Sequence, residues 1–73
     1  MLNIKDGNII RIYYMKLFIN QKNLEYSDHI INGRNEKDQW IFYGLDTFTE
    51  ERKPSKNYLN ENWLKNYKIE IIN

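Results

Sequence analysis

The one pairing of side chains in this sequence that resembles acid–base machinery is His29 beside Asp28, with Glu25 four positions earlier. A carboxylate can orient an imidazole for proton transfer, and histidine titrates near neutrality. If the segment is a strand, however, neighbours point to opposite faces, and Asp28 and His29 do not share a cleft. With no cysteine and no glycine-flanked serine, nucleophilic catalysis has no obvious actor. The carboxylates Asp28, Glu36, Asp38, Asp46, Glu50 and Glu51 are hard oxygen ligands, but they lack the alternate-position spacing of a calcium loop. They read as a solvated face. Three scattered glycines make neither a phosphate loop nor a dinucleotide fingerprint. The expectation is a protein without catalytic residues, metal or cofactor.

Binding chemistry is better represented. Arg11, Tyr13, Lys16 and Phe18 interleave cations with aromatic rings, the pairing that sheets use to stack bases and neutralise phosphates. The same rings would equally fill the core of a small β domain. Charge is also segregated along the chain: residues 1–24 sum to +3, residues 25–51 to −5 and residues 52–73 to +3, leaving a net +1. Folding could gather Glu25, Glu36, Asp38, Glu50 and Glu51 into one acidic face that is steered toward a basic partner surface. Cross-strand neutralisation of the opposite charges is the plainer alternative. Two tryptophans and six tyrosines are many for so short a chain. Tyr13, Tyr26, Tyr58 and Trp63 are therefore candidate interface anchors, with Trp40 assigned to the core. Spare aromatics on a small domain also point to a homodimer.

The elements that must position these residues are mostly strands. Leu2 and Ile4 lead into Asp6-Gly7, a hairpin cue. Ile9 to Ile19 follows as a long strand, with Ile10, Ile12 and Tyr14 on one face and a bend near Tyr13-Tyr14. Residues 20–23 read as a turn, Leu24 to Ile31 as a strand, and Asn32-Gly33 as a second turn opening a charged loop to Asp38. Gln39 to Tyr43 is the clearest core strand, with Trp40 and Phe42 on one side, and Ile41 and Tyr43 on the other. Leu45 to Lys53 fits a strand by alternation or, through Thr47-Phe48-Thr49-Glu50, a capped helical turn stopped by Pro54. Leu59, Trp63 and Tyr67 then recur every four residues, as an amphipathic helix capped by Ser55 or Asn57. Ile69, Ile71 and Ile72 close the chain as a strand. The expected fold is α+β: a single small domain over residues 1–73, with an antiparallel sheet of four to five strands, one C-terminal helix packed on it and a short final strand.

Seventy-three residues bury a thin core, so stability is small. No apolar run reaches the length of a membrane span, and no signal peptide is read, so the expected site is the cytoplasm. Alanine and valine are absent while asparagine and isoleucine each occur eleven times, a composition that suggests AT-biased codons. In this general character the chain resembles small phage-encoded anti-defence proteins of the anti-CRISPR type, although no motif carries the likeness. The resemblance implies a stoichiometric inhibitor in the host bacterial cytoplasm that occludes a host protein or ribonucleoprotein effector. The alternative is a small β-sheet protein that binds RNA or single-stranded DNA through Arg11, Tyr13, Lys16 and Phe18.

Overall fold

The computed structural model describes residues 3–14 and 25–73. Its elements are β1 (Ile9–Tyr13), β2 (Tyr26–Arg34), β3 (Trp40–Gly44), β4 (Asn57–Tyr58), α1 (Glu61–Asn66) and β5 (Lys68–Ile71). They form a small α+β fold around one five-stranded antiparallel sheet in the order β4-β3-β2-β1-β5. The chain steps outward from β1 to β4, returns through α1 and adds β5 at the opposite edge. No helix among the described residues is long and apolar enough to cross a membrane.

Alternation along β1 sets the two faces of the sheet. Ile10 and Ile12 are fully buried, as are Ile31 of β2 and Phe42 of β3, with Leu59 joining them. Register places Ile31 opposite Phe42, and Ile10 and Ile12 opposite Ile71 and Ile69, so one face concentrates the branched apolar residues. Tyr14 packs against the same core, on the side that the sequence pattern assigns it. Ile9, Arg11 and Tyr13 point the other way.

Helix α1 closes over the core face. Trp63 meets Phe42 edge-on at 5.2 Å between centroids and stacks obliquely on Tyr67 at 4.9 Å. The four-residue recurrence of Leu59, Trp63 and Tyr67 thus marks core-facing positions correctly, but the helix is shorter than expected. It is capped by Asn60, whose side-chain oxygen accepts from the Trp63 amide at 3.2 Å, and not by Ser55 or Asn57. Asn57 belongs instead to β4, and Tyr67 is already extended at φ −134. The β-branched residues after it are claimed by pairing with β1.

Three other expectations are corrected. Asn32-Gly33 is not a turn: β2 continues to Arg34, and the register shifts between Ile31 and Arg34, a β-bulge with Gly33 at φ 88. The bulge is held by the turn at Lys5–Asn8. The Asp6 carboxylate accepts from the Gly33 amide at 2.8 Å, and the Gly7 amide donates to the Ile31 carbonyl at 2.9 Å. Asp6-Gly7 therefore turns the chain but docks on β2 rather than making a hairpin from Ile4, which lies outside any strand. The β2–β3 reversal comes at residues 35–39, where the Asn35 side chain accepts from the Lys37 and Gln39 amides. Leu45 to Lys53 is neither strand nor helix. It is an irregular excursion closed by reciprocal Thr49–Arg52 backbone bonds, with Phe48 packed on Tyr43 at 5.3 Å. The expected bend near Tyr13-Tyr14 coincides with the end of β1 at Tyr13, and the rest of that strand and the turn at 20–23 lie outside the described residues.

Candidate functional site

The face of the sheet opposite α1 brings Arg11, Tyr13, Tyr26, Asp28, Lys68 and Glu70 together. Register explains why: Arg11 lies opposite Asp28 on one side and Glu70 on the other, and Tyr13 opposite Tyr26 and Lys68. Directly opposed residues share a face and approach closely. Arg11 donates through Nε to Asp28 Oδ1 at 2.8 Å and through Nη2 to Oδ2 at 3.1 Å, a two-pronged ion pair with its side chains 29% and 25% exposed. The guanidinium also covers the Tyr26 ring, 4.0 Å from its centroid. Tyr13 packs obliquely on Tyr26 at 5.8 Å and donates its hydroxyl to Glu70 Oε1 at 2.8 Å, while Lys68 Nζ lies 5.3 Å from the Tyr13 centroid.

Hydrogen bonding shifts Arg11, Asp28 and Tyr13. The hydrogen bond to Asp28 raises the Arg11 guanidinium above its ordinary value, and the same bond lowers the Asp28 carboxyl. The bond to Glu70 raises the Tyr13 phenol, which stays a neutral donor. By formal charge, Arg11 and Lys68 balance Asp28 and Glu70 within the patch. Tyr26 is 50% exposed at its centre.

The other expected site residues are scattered. Glu25 immediately precedes β2, whereas Glu36 and Asp38 sit in the turn that follows it. Nine strand residues separate them, roughly 30 Å at about 3.3 Å per residue. Asp38 is moreover paired with Arg34 at 2.8 Å. Glu50 and Glu51 are exposed on the excursion between β3 and β4. The five carboxylates do not form one acidic face. Tyr58 is 39% exposed on β4, separated from β1 by β3 and β2. Trp63, expected among the exposed anchors, instead packs on the core. Trp40 also packs against the core, with Arg34 stacked on its ring at 4.1 Å. Of the alternative nucleic-acid residues, Arg11 and Tyr13 are in the patch, and Lys16 and Phe18 lie outside the described residues.

A polar network on the core face has no counterpart in the sequence reading. The Tyr14 hydroxyl bonds to Ser27 Oγ, which lies 2.7 Å from His29 Nε2. Two-residue spacing puts Ser27 and His29 on one side of β2, and the cross-strand neighbour Ile12 brings Tyr14 within reach. That spacing was the available signal. Asp28 projects to the opposite face, as strand alternation requires. His29 packs edge-on to Phe42 at 5.0 Å; burial lowers its pKa, and Asp28 and Asp46 oppose the shift more weakly. Its Nδ1 has no hydrogen-bond partner among the described residues. The trio links the end of β1 to β2 by hydrogen bonds on the core face. Among the described residues no three His, Asp or Glu side chains converge to hold a metal ion.

Comparison with protein-family models, curated proteins and solved structures yields no match. The functional reading accordingly rests on the geometry of the patch.

Proposed function

We propose that this chain is a non-catalytic interaction module that binds a protein partner through the helix-free face of its sheet. The observation that carries the reading is the Arg11–Tyr26–Tyr13–Glu70 cluster, in which the exposed Tyr26 ring and the partly buried Tyr13 ring are held by Arg11, itself paired with Asp28, and by Glu70. Tyrosine and arginine dominate interface energetics because they contribute large contact area and polar tips. Here ring packing, the Asp28 ion pair and the Glu70 hydrogen bond pre-order the side chains, which lowers the entropic cost of docking. A standard interface takes about 800 Å² from each partner, roughly a seventh of the 5572 Å² that the chain exposes.

Charge balance favours protein over nucleic acid. A single-stranded nucleic-acid track needs unpaired cations beside its stacking rings. Arg11 instead turns Nε and Nη2 to Asp28, and Glu70 stands beside Tyr13, so of the two cations at the rings only Lys68 lies outside an ion pair among the described residues. In the anti-defence setting that size and composition suggest, the partner is a host nuclease or effector ribonucleoprotein, occluded by mass action in the bacterial cytoplasm. Glu36 and Asp38 at one tip, and Glu50 and Glu51 on the excursion, then act as separate rim charges that tune the association rate.

Affinity co-purification from a bacterial lysate tests the reading with matched variants. A partner retained by wild type and by Lys65→Ala on α1, but lost with Tyr26→Ala and Arg11→Ala, supports it. A partner held equally by all four proteins refutes it. So does tight binding of short single-stranded RNA or DNA that weakens steeply with salt, because that is the signature of phosphate neutralisation.

A further inference from the structure

We infer that strand β5 is a self-pairing edge through which two copies of this chain join their sheets into one. The inference uses Lys68 and Glu70 of the helix-free face but is read out by self-association, whatever else that face binds. β5 is the last strand of the sheet, and among the described residues nothing pairs with its outer side. Its hydrogen-bonding phase is set by the Ile72 amide, which donates to the Ile9 carbonyl at 3.0 Å. In an antiparallel ladder alternate residues share that orientation, so Lys68 and Glu70 also turn their backbone groups toward β1. Ile69 and Ile71 then present theirs outward, as does the carbonyl of the extended Tyr67. An edge with free backbone groups is a template for another strand.

The side chains select the partner and the register. A two-fold axis perpendicular to the sheet keeps each face on its own side, so only residues of equal parity can oppose one another. Placing Ile69 opposite Ile69 of a second copy makes that a hydrogen-bonded pair. It also sets the Ile71 amide against the Tyr67 carbonyl. Lys68 then faces Glu70 of the second copy, and Glu70 faces its Lys68, in the non-hydrogen-bonded positions where side chains approach most closely. Two opposite-charge pairs form on the helix-free side, and Ile69 meets Ile69 on the core side. Slipping either strand by two residues confronts Glu70 with Glu70 or Lys68 with Lys68. The Lys-Ile-Glu-Ile sequence of β5 is thus complementary to itself in one antiparallel register. A lysine that would otherwise guard the edge is matched in that register. Ile72, just after β5, and Leu64 on α1 are exposed apolar residues, at 39% and 51%.

Sedimentation equilibrium of the full chain, with circular dichroism as the check on folding, tests this. Wild type is expected to dimerise. Lys68→Glu and Glu70→Lys each put like charges face to face twice in the symmetric dimer, and each weakens the dimerisation constant about tenfold or more. Mixing the two variants matches every pair again and restores a heterodimer, and the chain carrying both substitutions restores the homodimer. A wild type that stays monomeric into the millimolar range overturns the inference. A dimer indifferent to Lys68→Glu also overturns it, as does a mixture no more associated than its components. Should Glu70→Lys fail to fold after losing its Tyr13 bond, the exposed Lys68→Glu variant decides alone.

Discussion

Replacing Phe42 by leucine tests whether an aromatic spine fastens α1 to the sheet. Phe42 is fully buried, edge-on to His29 at 5.0 Å and 80° on one side, and to Trp63 at 5.2 Å and 89° on the other. Leucine keeps most of the apolar area but removes both ring–ring contacts. Such pairs contribute about 0.5–1.5 kcal/mol each beyond their area, so their loss costs about 1–3 kcal/mol. The smaller side chain adds about 1 kcal/mol, the scale of a trimmed core methylene. Against this stands a total stability of about 4–11 kcal/mol, at about 0.05–0.15 kcal/mol for each of 73 residues. Phe42→Leu should therefore fold with a much reduced margin. Urea unfolding followed by tryptophan fluorescence reads the change, with circular dichroism as an independent probe of two-state behaviour. A double-mutant cycle with Trp63→Leu should recover a coupling of about 0.5–1.5 kcal/mol. A loss below about 0.5 kcal/mol, within the scatter of surface substitutions, would refute the spine.

Three further outcomes are expected. Asn60→Ala removes the acceptor for the Trp63 amide and should cost about 1 kcal/mol, lowering the thermal midpoint by about 4–8 °C; an unchanged melt would show that Asn60 does not cap α1. Gly33→Ala meets no atom within 4 Å but must hold φ 88, so about 1–2 kcal/mol of backbone strain should appear in urea unfolding, and a neutral result would place no bulge there. His29 is kept from protonation by burial, with its pKa below the ordinary 6.5, so the unfolded chain takes up a proton that the folded one refuses. Stability contributed by His29 is thus full above about pH 6.5 and declines as pH falls below that value, well above the acid range in which the contribution of Asp28 is lost. The urea midpoint of wild type should drop between pH 7.5 and 5.5 by more than that of His29→Phe; parallel profiles would contradict the assignment.

What composition and periodicity determined here is the local part of the fold. Two-residue alternation marked Ile10 and Ile12, Trp40 and Phe42, and the opposed Ile41 and Tyr43, because successive side chains of a strand point to opposite faces. Four-residue recurrence found the core-facing Leu59, Trp63 and Tyr67, although pairing of β5 with β1 left the helix only six residues. Alternation also separated Asp28 from His29. Register lay beyond that reading, since it depends on which strands lie side by side. Arg11 meets Asp28 and Tyr26 because β1 pairs β2, and Tyr13 meets Glu70 because a strand from the far end of the chain pairs β1 on its other side. The acidic residues were close in sequence yet are parted by the length of β2. Asn32-Gly33 carries an ordinary turn signal, but the Asp6 carboxylate and the Gly7 amide hold it as a bulge. Chain-local patterns report which way a side chain points. Its neighbours across the sheet are decided by strand pairing, a long-range choice that no single segment contains.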